Sequence, residues 1–496
     1  MTNITIQKKN EIYLKVDADP HIHQELSEYF TFEVPGAKFM PQYRSKYWDG
    51  KIRLYSTHTG EIYVGLLDKV VAWAKRYEYT VEFKDNKFYG TPLEENEMIS
   101  YEGVKDYITR ISKHKPREYQ IDAVYDALKY NRKLLISPTA SGKSLMIYSV
   151  VRYFCEKNSK ILLIVPTTSL VEQMYSDFQS YSEKNGWKSS ENCSRIYAGH
   201  SKENLLPIVI STWQSVYELP KKFFESFQVV YGDEAHTFKA KSLTGIMHKM
   251  INTPYRIGTT GTLDGTKTHK LVLEGLFGSV YKVITTKQLM DDNHLSELKI
   301  FGLVLQYPDD VKKAGKDNKY PDEMTFLCGY EPRNKFIRNL ALNQKGNSLV
   351  LFQFVEKHGQ ILFDMIKAKA GDRKVFFVFG GTETSDREDI RRITETENDA
   401  IIVASYGTFS TGINIRNLHN IIFASPTKSR IRNLQSVGRG LRKGDDKTHC
   451  NLYDIGDDLT WKARKNYTLL HMIERIKTYN DEHFDYKLVK VPLNVL

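Results

Sequence analysis

Two series of short apolar runs constrain the fold of this chain more than any other feature of its sequence. The runs of β-type residues occupy positions 134–136, 161–165, 208–210, 229–231 and 257–258, and then 349–352, 375–379, 401–403 and 421–423. Helical patterns separate them. Strands that are apolar at every position are buried on both faces, as in parallel sheets covered by helices. The sequence therefore predicts two α/β domains, joined near residues 287–300.

The sequence outside these two series differs in residue composition and in the spacing of its apolar residues. Aromatic and basic residues crowd positions 43–55, an acidic, turn-rich segment follows at 90–97, and apolar residues recur at helical spacing from Leu469 to Ile476. The predicted organisation is a small N-terminal α+β domain at 1–90, a linker at 91–113, α/β domains at 114–288 and 289–460, and a short helical C-terminal extension at 461–496. About three domains is also what 496 residues suggest.

Composition excludes several classes of protein. With 41% apolar and 26% charged residues the chain is neither wholly disordered nor fibrous. Its apolar runs are far shorter than the roughly 20 residues of a membrane-spanning helix, and its polar first ten residues lack a secretory signal. Four widely spaced cysteines, without a C-x-x-C pair, indicate free thiols. An intracellular protein with no membrane association is expected.

The charge balance favours a polyanionic partner without identifying one. The net charge is +11 and the isoelectric point is near 9.0. Positive charge clusters between Lys428 and Lys443, a stretch with no acidic residue. This cluster belongs to one of the motifs described below.

A phosphate-binding loop is predicted between the strand at 134–136 and the helix that begins near Leu145. Small residues fill the loop, and a Gly-Lys-Ser triplet ends it. Backbone N–H groups and the helix N-terminus can surround phosphates, while Lys143 neutralises charge and Ser144 ligates Mg²⁺. The residues predicted to surround the nucleotide phosphates are Thr139, Ala140, Ser141, Gly142, Lys143 and Ser144. Ser137 stands where the strict pattern has glycine, and an ordinary strand-to-helix turn is the alternative.

A second motif follows another apolar strand, ninety residues after Lys143. It has the sequence Asp233-Glu234-Ala235-His236. A carboxylate at the end of a parallel strand can hold Mg²⁺ opposite a phosphate-binding loop, and the next carboxylate can activate a water. Asp233 is the predicted metal ligand and Glu234 the predicted base. An Asp-Glu pair alone is usually a solvated cap, but its position after the loop favours a nucleoside triphosphatase.

A third motif lies in the second α/β domain, within the basic cluster. On a helix, Gln435, Arg439 and Arg442 would share one face, and two guanidiniums there could reach phosphates bound by the other domain. Arg439 and Arg442 are predicted arginine fingers, which can be worth about 10³–10⁵ in rate. A solvated basic helix is the alternative if the segment is considered alone.

With these motifs, the chain resembles the superfamily 2 DExH helicases, and within them the phage UvsW-type helicases of recombination and repair. The resemblance covers nearly the whole chain and implies two RecA-like motor domains, ATP as the nucleotide and Mg²⁺ as the metal. Arg117-Glu118-Tyr119-Gln120 is similar to the element in which the glutamine, here Gln120, contacts adenine. A glycine is commonly missing at the position of Ser137 in this superfamily.

The resemblance also implies roles for residues whose motifs are weak alone. Their alternatives are plain strand-end turns, which use the same residue types. The implied contacts to a nucleic-acid backbone are Pro166, Thr167, Thr168, Thr212, Gln214, Ser405 and Thr408. The implied coupling residues are His236, Thr260 and Thr262, and the implied nucleotide-sensing residues are Gly412 and Asn414.

The N-terminal segment 39–55 interleaves cations with aromatic residues around Asp49-Gly50. This pattern predicts a β-hairpin whose surface stacks bases and holds phosphates. The candidate contacts are Arg44, Tyr47, Trp48, Lys51 and Arg53. The alternative is that the aromatic residues form the core of the small domain; the resemblance favours contact with branched DNA.

The sequence loosely imitates a nuclease motif at Asp291, Asp292, Glu297 and Lys299. These residues are interpreted as part of the interdomain connection, and no nuclease is predicted.

The predicted function is an ATP-dependent DNA helicase that remodels branched DNA in the cytoplasm, the host bacterial cytoplasm for a phage-encoded chain. An RNA helicase is the nearest alternative, because motor motifs contact backbone without fixing sugar identity. A DNA-binding clamp with a degenerate ATP site is a third.

Overall fold

The structure is a computed structural model, and it describes residues 3–34, 36–84, 98–197, 202–239, 241–263, 266–408, 415, 417–427, 429, 438, 441 and 447–493. The chain forms two compact units. The first comprises residues 1–137 and 142–284, and the second comprises residues 138–141 and 285–496. No helix in the described ranges is long and apolar enough to cross a membrane.

The first unit begins with a small α+β domain. Its strands are β1 (Asn3–Lys8), β2 (Tyr13–Asp17), β3 (Thr31–Glu33), β4 (Lys51–Arg53), β5 (Tyr55–Ser56), β6 (Glu61–Tyr63) and β7 (Thr80–Phe83). A five-stranded mixed sheet has the order β5-β6-β2-β1-β7, and β3 pairs with β4 in a separate ribbon. The helices Pro20–Tyr29 and Leu67–Arg76 contribute buried residues such as Leu26 and Trp73 to its core.

The rest of the first unit is built on a seven-stranded, entirely parallel sheet. Its strands are β8 (Arg132–Ile136), β9 (Ile161–Val165), β10 (Cys193–Ile196), β11 (Ile208–Thr212), β12 (Val229–Gly232), β13 (Tyr255–Thr260) and β14 (Val280–Lys282), in the order β10-β11-β9-β12-β13-β8-β14. Every residue of β9 and β12 is buried, as continuous apolar runs require. The first predicted α/β domain is confirmed.

The second unit contains another seven-stranded parallel sheet. Its strands are β15 (Glu297–Gln306), β16 (Ser348–Phe352), β17 (Val375–Val378), β18 (Ile401–Ser405), β19 (Asn420–Phe423), β20 (His449–Asp458) and β21 (Tyr486–Pro492), in the order β17-β18-β16-β19-β20-β15-β21. The second predicted α/β domain is confirmed as well. β15 pairs with β20 over the full ten residues of each strand.

Helices cover both parallel sheets. In the first unit the remaining α-helices are Pro41–Arg44, Tyr101–Ile111, Glu118–Lys129, Lys143–Glu156, Thr168–Tyr181, Ser189–Asn192, Trp213–Val216, Lys221–Phe224, Lys241–Lys249 and Lys267–Phe277. Among the described residues of the second unit they are Thr286–Asp291, Asp309–Ala314, Tyr320–Gly329, Glu331–Asn343, Gln360–Lys367, Thr384–Thr396 and Tyr467–Asp481. Short 3₁₀-helices span Ala37–Phe39, Val64–Leu66 and Ala235–Lys239, and a π-helix spans Val355–Gly359.

Three segments differ from their predicted character. The helix Tyr101–Ile111 lies in the predicted linker, yet Val104, Ile108 and Ile111 are buried in the core of the first unit. Residues 297–306, partly assigned to the interdomain connection, form β15 inside the second sheet. The C-terminal helix is present, and the tail that follows it forms β21 at the edge of that sheet. The four cysteines are free, as predicted.

An ion pair between the buried Arg132 and the half-buried Glu11 joins the N-terminal domain to the first parallel sheet. Arg132, at the start of β8, is 2% exposed and donates from Nη2 to both the backbone O and the Oε2 of Glu11, each at 2.6 Å. The backbone N–H of Glu11 donates to the carbonyl of Ile251 at 2.9 Å. Burial raises the pKa of the Glu11 carboxyl, but the charges of Arg132 and Lys8 lower it by more. The pKa of Glu11 is therefore below its usual value. Glu11 therefore anchors one domain to the other.

Substituting Glu11→Gln is expected to lower the free energy of unfolding by about 3–5 kcal/mol, because it leaves the buried Arg132 without its carboxylate. Thermal or urea unfolding monitored by circular dichroism measures the loss. Glu61→Gln is the matched control, because Glu61 pairs with the more exposed Lys9, and such pairs contribute about 0–1 kcal/mol. Equal losses in the two variants would contradict an anchoring role for Glu11.

Candidate functional site

Three predicted motifs meet at one edge of the first parallel sheet. β13 lies between β8 and β12 and pairs with both in parallel. The phosphate-binding loop follows β8, Asp233 follows β12, and Thr260 ends β13. Because the carboxyl ends of parallel strands share one edge, chain segments about a hundred residues apart converge. The backbone N–H of Ser137 donates to the carbonyl of Thr260 at 2.8 Å, which joins two of these motifs directly.

The loop after β8 has the backbone conformation that a phosphate site needs. Gly142 has φ +82° and directly precedes the helix Lys143–Glu156. A Cβ built there would lie 2.2 Å from Nε2 of Gln120, so only glycine lets that side chain lie against the loop. Gln120 is buried, and its Oε1 accepts from the N–H of Arg117 at 3.0 Å. The predicted adenine-contacting glutamine is thus held beside the phosphate loop.

The remaining loop residues are fixed locally. Ala140 has φ +67°, a left-handed conformation uncommon for a residue with a Cβ. The hydroxyl of the buried Ser141 donates to the carbonyl of Pro138 at 2.7 Å. Thr139 and Ser144 are half-buried. The backbone N–H groups at the start of the helix Lys143–Glu156 form the kind of N-terminus at which anions bind.

Lys143 and Glu234 form the central contact of the site. Nζ of Lys143 lies 3.4 Å from Oε1 of Glu234, although 91 residues separate them in the sequence. Both side chains are partly exposed, at 17% and 22%. Glu234 has φ +49°, and such strain persists only where the surrounding structure enforces it, as at functional sites. The predicted phosphate-binding lysine and the predicted base are therefore neighbours.

The two adjacent carboxyl groups have opposite pKa shifts. Asp233 is buried, and its Oδ1 accepts from the N–H of Glu234 at 2.9 Å and from Oγ1 of Thr259 at 3.0 Å. Burial, and then the charge of Glu234, raise the pKa of the Asp233 carboxyl. Burial also raises the pKa of Glu234, but Lys143 and His236 lower it more, to about 2. Glu234 is therefore ionised at neutral pH, and a cation beside Asp233 would favour its charged form too.

His236 connects the carboxylate to the end of β13. Its Nδ1 lies 3.2 Å from Oε2 of Glu234 and 3.1 Å from Oγ1 of Thr260. Since the hydroxyl of Thr260 donates to the carbonyl of Thr262 at 3.0 Å, its oxygen accepts from His236, which assigns the proton to Nδ1. The three predicted coupling residues thus form one chain with Glu234. Thr259 is the site residue that the motifs missed, because a threonine inside a buried strand carries no signal of its own.

The predicted nucleic-acid contacts of the first unit lie after neighbouring strands. β9 and β11 pair in parallel, with Val165 opposite Thr212. Pro166 and Thr167 are half-buried, whereas Thr168 and Gln214 are exposed. Thr167 caps the helix Thr168–Tyr181 by accepting from the N–H of Leu170, and the hydroxyl of the buried Thr212 bonds to Ser215 at 2.9 Å. Exposure therefore favours Thr168 and Gln214 as the direct contacts.

The motifs of the second unit are described only in part. The half-buried Ser405 and the buried Thr408 form a hydroxyl pair with their Oγ atoms 2.8 Å apart. The predicted residues Gly412, Asn414, Gln435, Arg439 and Arg442 lie outside the described residues. Their roles remain predictions.

The predicted hairpin around Asp49-Gly50 is wrong. Pro41 begins the short helix Pro41–Arg44, because proline fixes φ at a helical value, and β4 pairs with β3 at residues 31–33 instead. Gly50, at φ +79°, still makes a tight turn into β4. Phe32 and Ile52, which lie opposite each other in this pair, pack against the core of the domain, and a local turn signal does not report such a contact.

The aromatic residues of this segment are largely on the surface, so the alternative of an aromatic core does not hold for Tyr47. Its side chain is 91% exposed and Phe39 is 71% exposed, whereas Trp48 is half-buried and donates from Nε1 to the carbonyl of Lys51 at 2.8 Å. A cleft of about 610 Å³ is lined by Met40, Gln42, Tyr47 and Trp48. Of the nearby cations, Arg53 pairs with Asp49 at 2.5 Å, and Arg44 and Lys51 are exposed.

Comparison with known proteins places these features in a family. Three family models match: the Type III restriction enzyme res subunit at residues 113–265, the N-terminal domain of DNA helicase UvsW at 3–84, and the helicase conserved C-terminal domain at 332–444. The ATP-dependent DNA helicase uvsW of Enterobacteria phage T4 is 34% identical over 505 residues, which cover 97% of this chain and 98% of the relative.

A crystal structure of T4 UvsW matches with a TM-score of 0.51 at 32% identity, covering 99% of this chain and all of the other. The DNA 3'-5' translocase XPB2 of Sulfurisphaera tokodaii is 23% identical over 374 residues, 66% of this chain and 79% of the relative. Two RecA-like motor domains carrying a P-loop and an Asp-Glu-Ala-His sequence define a superfamily 2 helicase. The chain belongs to the UvsW family of these helicases.

Proposed function

We propose that this protein is an ATP-driven DNA helicase that unwinds or branch-migrates branched DNA in recombination, repair or replication restart. The observation that carries the proposal is the contact between Lys143 and Glu234, 3.4 Å apart at the edge where the P-loop emerges. A phosphate-binding lysine and an ionised carboxylate at this spacing are what hydrolysis of a γ-phosphate requires. Membership of the UvsW family supports DNA as the partner.

In this proposal the chain's own residues do most of the chemistry. Lys143 leaves Glu234 for the β- and γ-phosphates when ATP binds, which frees the carboxylate to orient and deprotonate the attacking water. Gln120, held against the loop, contacts the adenine. His236 and Thr260 transmit the change at Glu234 to the end of β13.

The residues at this edge fit a magnesium ion. A hydroxyl from Ser144 and a carboxylate from Asp233 are hard oxygen donors, and Mg²⁺ typically takes one or two protein carboxylates, keeping waters and substrate phosphates as its other ligands. The raised pKa of the buried Asp233 supports this fit, because a cation there would stabilise its charge. When bound, the ion would neutralise charge on the phosphates.

The N-terminal surface is the proposed contact for the branch point of the DNA. Its exposed aromatic rings, Phe39 and Tyr47, stand beside the exposed cations Arg44 and Lys51. Bases that become unpaired at a fork or at an opened branch point stack on such rings, and the cations hold the backbone. A duplex without unpaired bases offers only the backbone.

We expect Tyr47→Ala to weaken binding to a four-way junction or a fork by about 1–3 kcal/mol, the contribution of one stacked base. Binding to plain duplex should change little. Fluorescence anisotropy with labelled DNA of each structure measures the difference. Tyr77→Ala is the matched control, because Tyr77 is another tyrosine of the same domain, 49% exposed and outside segment 39–55. Equal weakening for duplex and junction would argue against base stacking.

One experiment tests the proposed function as a whole. ATP hydrolysis is measured alone and with single-stranded DNA, duplex DNA, a four-way junction and RNA. Stimulation by DNA, greatest with the junction, is expected. Strong stimulation by RNA alone would establish the RNA helicase alternative, and DNA binding without hydrolysis would establish the clamp.

Further parts of the proposal rest on the sequence and the family. Arg439 and Arg442 act as arginine fingers, Gln435 assists them, and Gly412 and Asn414 sense the nucleotide. Ser405 is a proposed contact to the nucleic-acid backbone, as are Thr168 and Gln214, and the buried Thr408 pairs with the Ser405 hydroxyl. The proposed domain boundaries are 90, 113, 288 and 460, although the helix Tyr101–Ile111 packs in the core of the first unit and β21 belongs to the second sheet. The proposed place of action is the cytoplasm, where a phage's DNA is replicated and recombined.

A further inference from the structure

The backbone that leaves β19 is held by side chains from distant parts of the second unit. This strand exit, Ala424–Thr427, immediately precedes the segment that carries the predicted arginine fingers. The carbonyl of Ala424 accepts from Nη2 of Arg333 at 2.8 Å, and the carbonyl of Thr427 accepts from Nη1 of Arg475 at 2.9 Å. Between them, the carbonyl of Ser425 accepts from the hydroxyl of Tyr406 at 3.1 Å.

Arg475 is itself fixed by a buried carboxylate. It lies in the helix Tyr467–Asp481, is 1% exposed, and donates from Nε to Asp454 at 2.8 Å. Its Nη2 donates to the carbonyl of Ile455 at 3.0 Å. The hydroxyl of Tyr479 also donates to Asp454, at 2.8 Å. The guanidinium therefore spans from β20 to the strand exit.

Arg333, on another helix, likewise connects a buried carboxylate to the strand exit. It lies in Glu331–Asn343, is fully buried, and donates from Nε and Nη2 to the two carboxylate oxygens of Asp457, at 2.7 and 3.0 Å. Asp457 follows Asp454 by three residues on the same strand, so their side chains point to opposite faces of the sheet. The two arginines thus hold the strand exit from both faces.

The far end of the same segment is attached as well. Leu441, between Arg439 and Arg442 in the sequence, is fully buried, and its carbonyl accepts from the N–H of Ser296 at 2.8 Å. Described residues before and within the segment, Ala424–Thr427 and Leu441, therefore both have their carbonyls hydrogen-bonded to other parts of the second unit.

We infer that Arg475 and Arg333 are positioning residues for ATP hydrolysis, which act by holding the strand exit and, through it, the segment that carries Arg439 and Arg442. The inference rests on the proposed function. A finger contributes only when it reaches the phosphates at the right place, and a misplacement of about 1 Å can cost about a hundredfold in rate. Neither arginine is assigned a contact with nucleotide.

Only arginine can make both sets of contacts at once. Its planar fork binds a carboxylate and a carbonyl along different directions, whereas the lysine ammonium is a compact point charge. Arg475→Lys should therefore keep Asp454 neutralised but lose the bond to Thr427. That makes it the sharpest single variant.

Arg475→Lys is expected to lower DNA-stimulated kcat about ten- to a hundredfold, with KM for ATP changed less than about threefold. Affinity for ADP with aluminium fluoride, a mimic of the transferring phosphoryl group, should fall by a similar factor, while affinity for ADP stays unchanged. A merely structural role would not separate these quantities. Circular dichroism and a thermal melt establish that the variant is folded at the assay temperature.

Tyr479→Phe is the matched control, because it removes a hydrogen bond to the same carboxylate and leaves the bond to Thr427 intact. Its kcat should equal that of the wild type. If Arg475→Lys does not fold, Tyr406→Phe removes the bond to Ser425 with little change in shape and should lower kcat severalfold. An unchanged kcat in the folded variant tested would overturn the inference.

Comparison with a variant that lacks both predicted fingers separates this inference from the proposed function. If Arg475 acts through the finger segment, adding Arg475→Lys to the double variant Arg439→Ala with Arg442→Ala should slow hydrolysis no further. Multiplying defects would show that Arg475 acts by another route and would overturn the inference. Absence of ATP hydrolysis in the wild type would overturn both proposals, whereas an active wild type with an active Arg475→Lys variant overturns only this one.

Discussion

Substituting Glu234→Gln lowers kcat for ATP by about 10²–10⁴, the usual contribution of a general base, and leaves ATP binding intact. The amide keeps the shape of the side chain but cannot accept the proton of the attacking water. Because the pKa of Glu234 is about 2, the wild-type carboxylate is ionised at neutral pH and ready to act. Steady-state hydrolysis with saturating DNA, together with equilibrium binding of a fluorescent ATP analogue, measures the two quantities separately.

The control for this variant is Glu225→Gln, an exposed glutamate ahead of β12. It should hydrolyse ATP at the wild-type rate. Normal hydrolysis by Glu234→Gln would mean that another group activates the water. Loss of ATP binding would instead mean that the carboxylate, in contact with Lys143, supports the nucleotide pocket itself.

Substituting Lys143→Ala abolishes hydrolysis, with a loss of at least about 10³ in kcat/KM, because the charge that stabilises the β- and γ-phosphates is gone. DNA binding should be retained, since the contacts of Lys143 are Glu234 and, in the proposal, the nucleotide. The variant also deprives Glu234 of the first group that lowers its pKa. Hydrolysis assays and DNA anisotropy on the same preparation provide the test.

Lys157→Ala is the matched control, because Lys157 is an exposed lysine that follows the C-terminal end of the same helix. It should behave as the wild type in both assays. Wild-type turnover by Lys143→Ala would remove the P-loop assignment. A loss of DNA affinity as large as the loss of hydrolysis would show that the lysine serves the nucleic-acid site.

The features that the sequence predicted well are those carried by contiguous residues. The nine apolar runs became strands, because a strand that is apolar at every position has only the interior of a sheet to occupy. The P-loop and Asp233-Glu234 could be recognised because each motif places its chemistry within a few residues of a strand end. The order of the strands in the sheet, with β13 between β8 and β12, brings the P-loop and Asp233-Glu234 to the same edge.

Local signals failed where distant residues chose the partner. Asp49-Gly50 suggested a hairpin, yet β4 pairs with β3 across seventeen intervening residues of chain. The tail after the C-terminal helix is short and carries lysines at 487 and 490, yet it forms β21, because β15 offers it an edge. In both cases the available neighbour outweighed the local propensity.

The two parallel sheets, the P-loop and the carboxylates could be predicted from the sequence, because each is encoded by consecutive residues. Their burial or their chemistry does not depend on a distant partner. The tertiary structure alone decided which charges meet. Lys143 and Glu234 are 91 residues apart, Arg132 and Glu11 are 121 apart, and Arg333 and Asp457 are 124 apart. In the sequence, an arginine within a helical pattern is expected to be solvated. Whether it can be buried depends on a carboxylate partner that offsets the cost of burying its charge, and no local pattern identifies that partner.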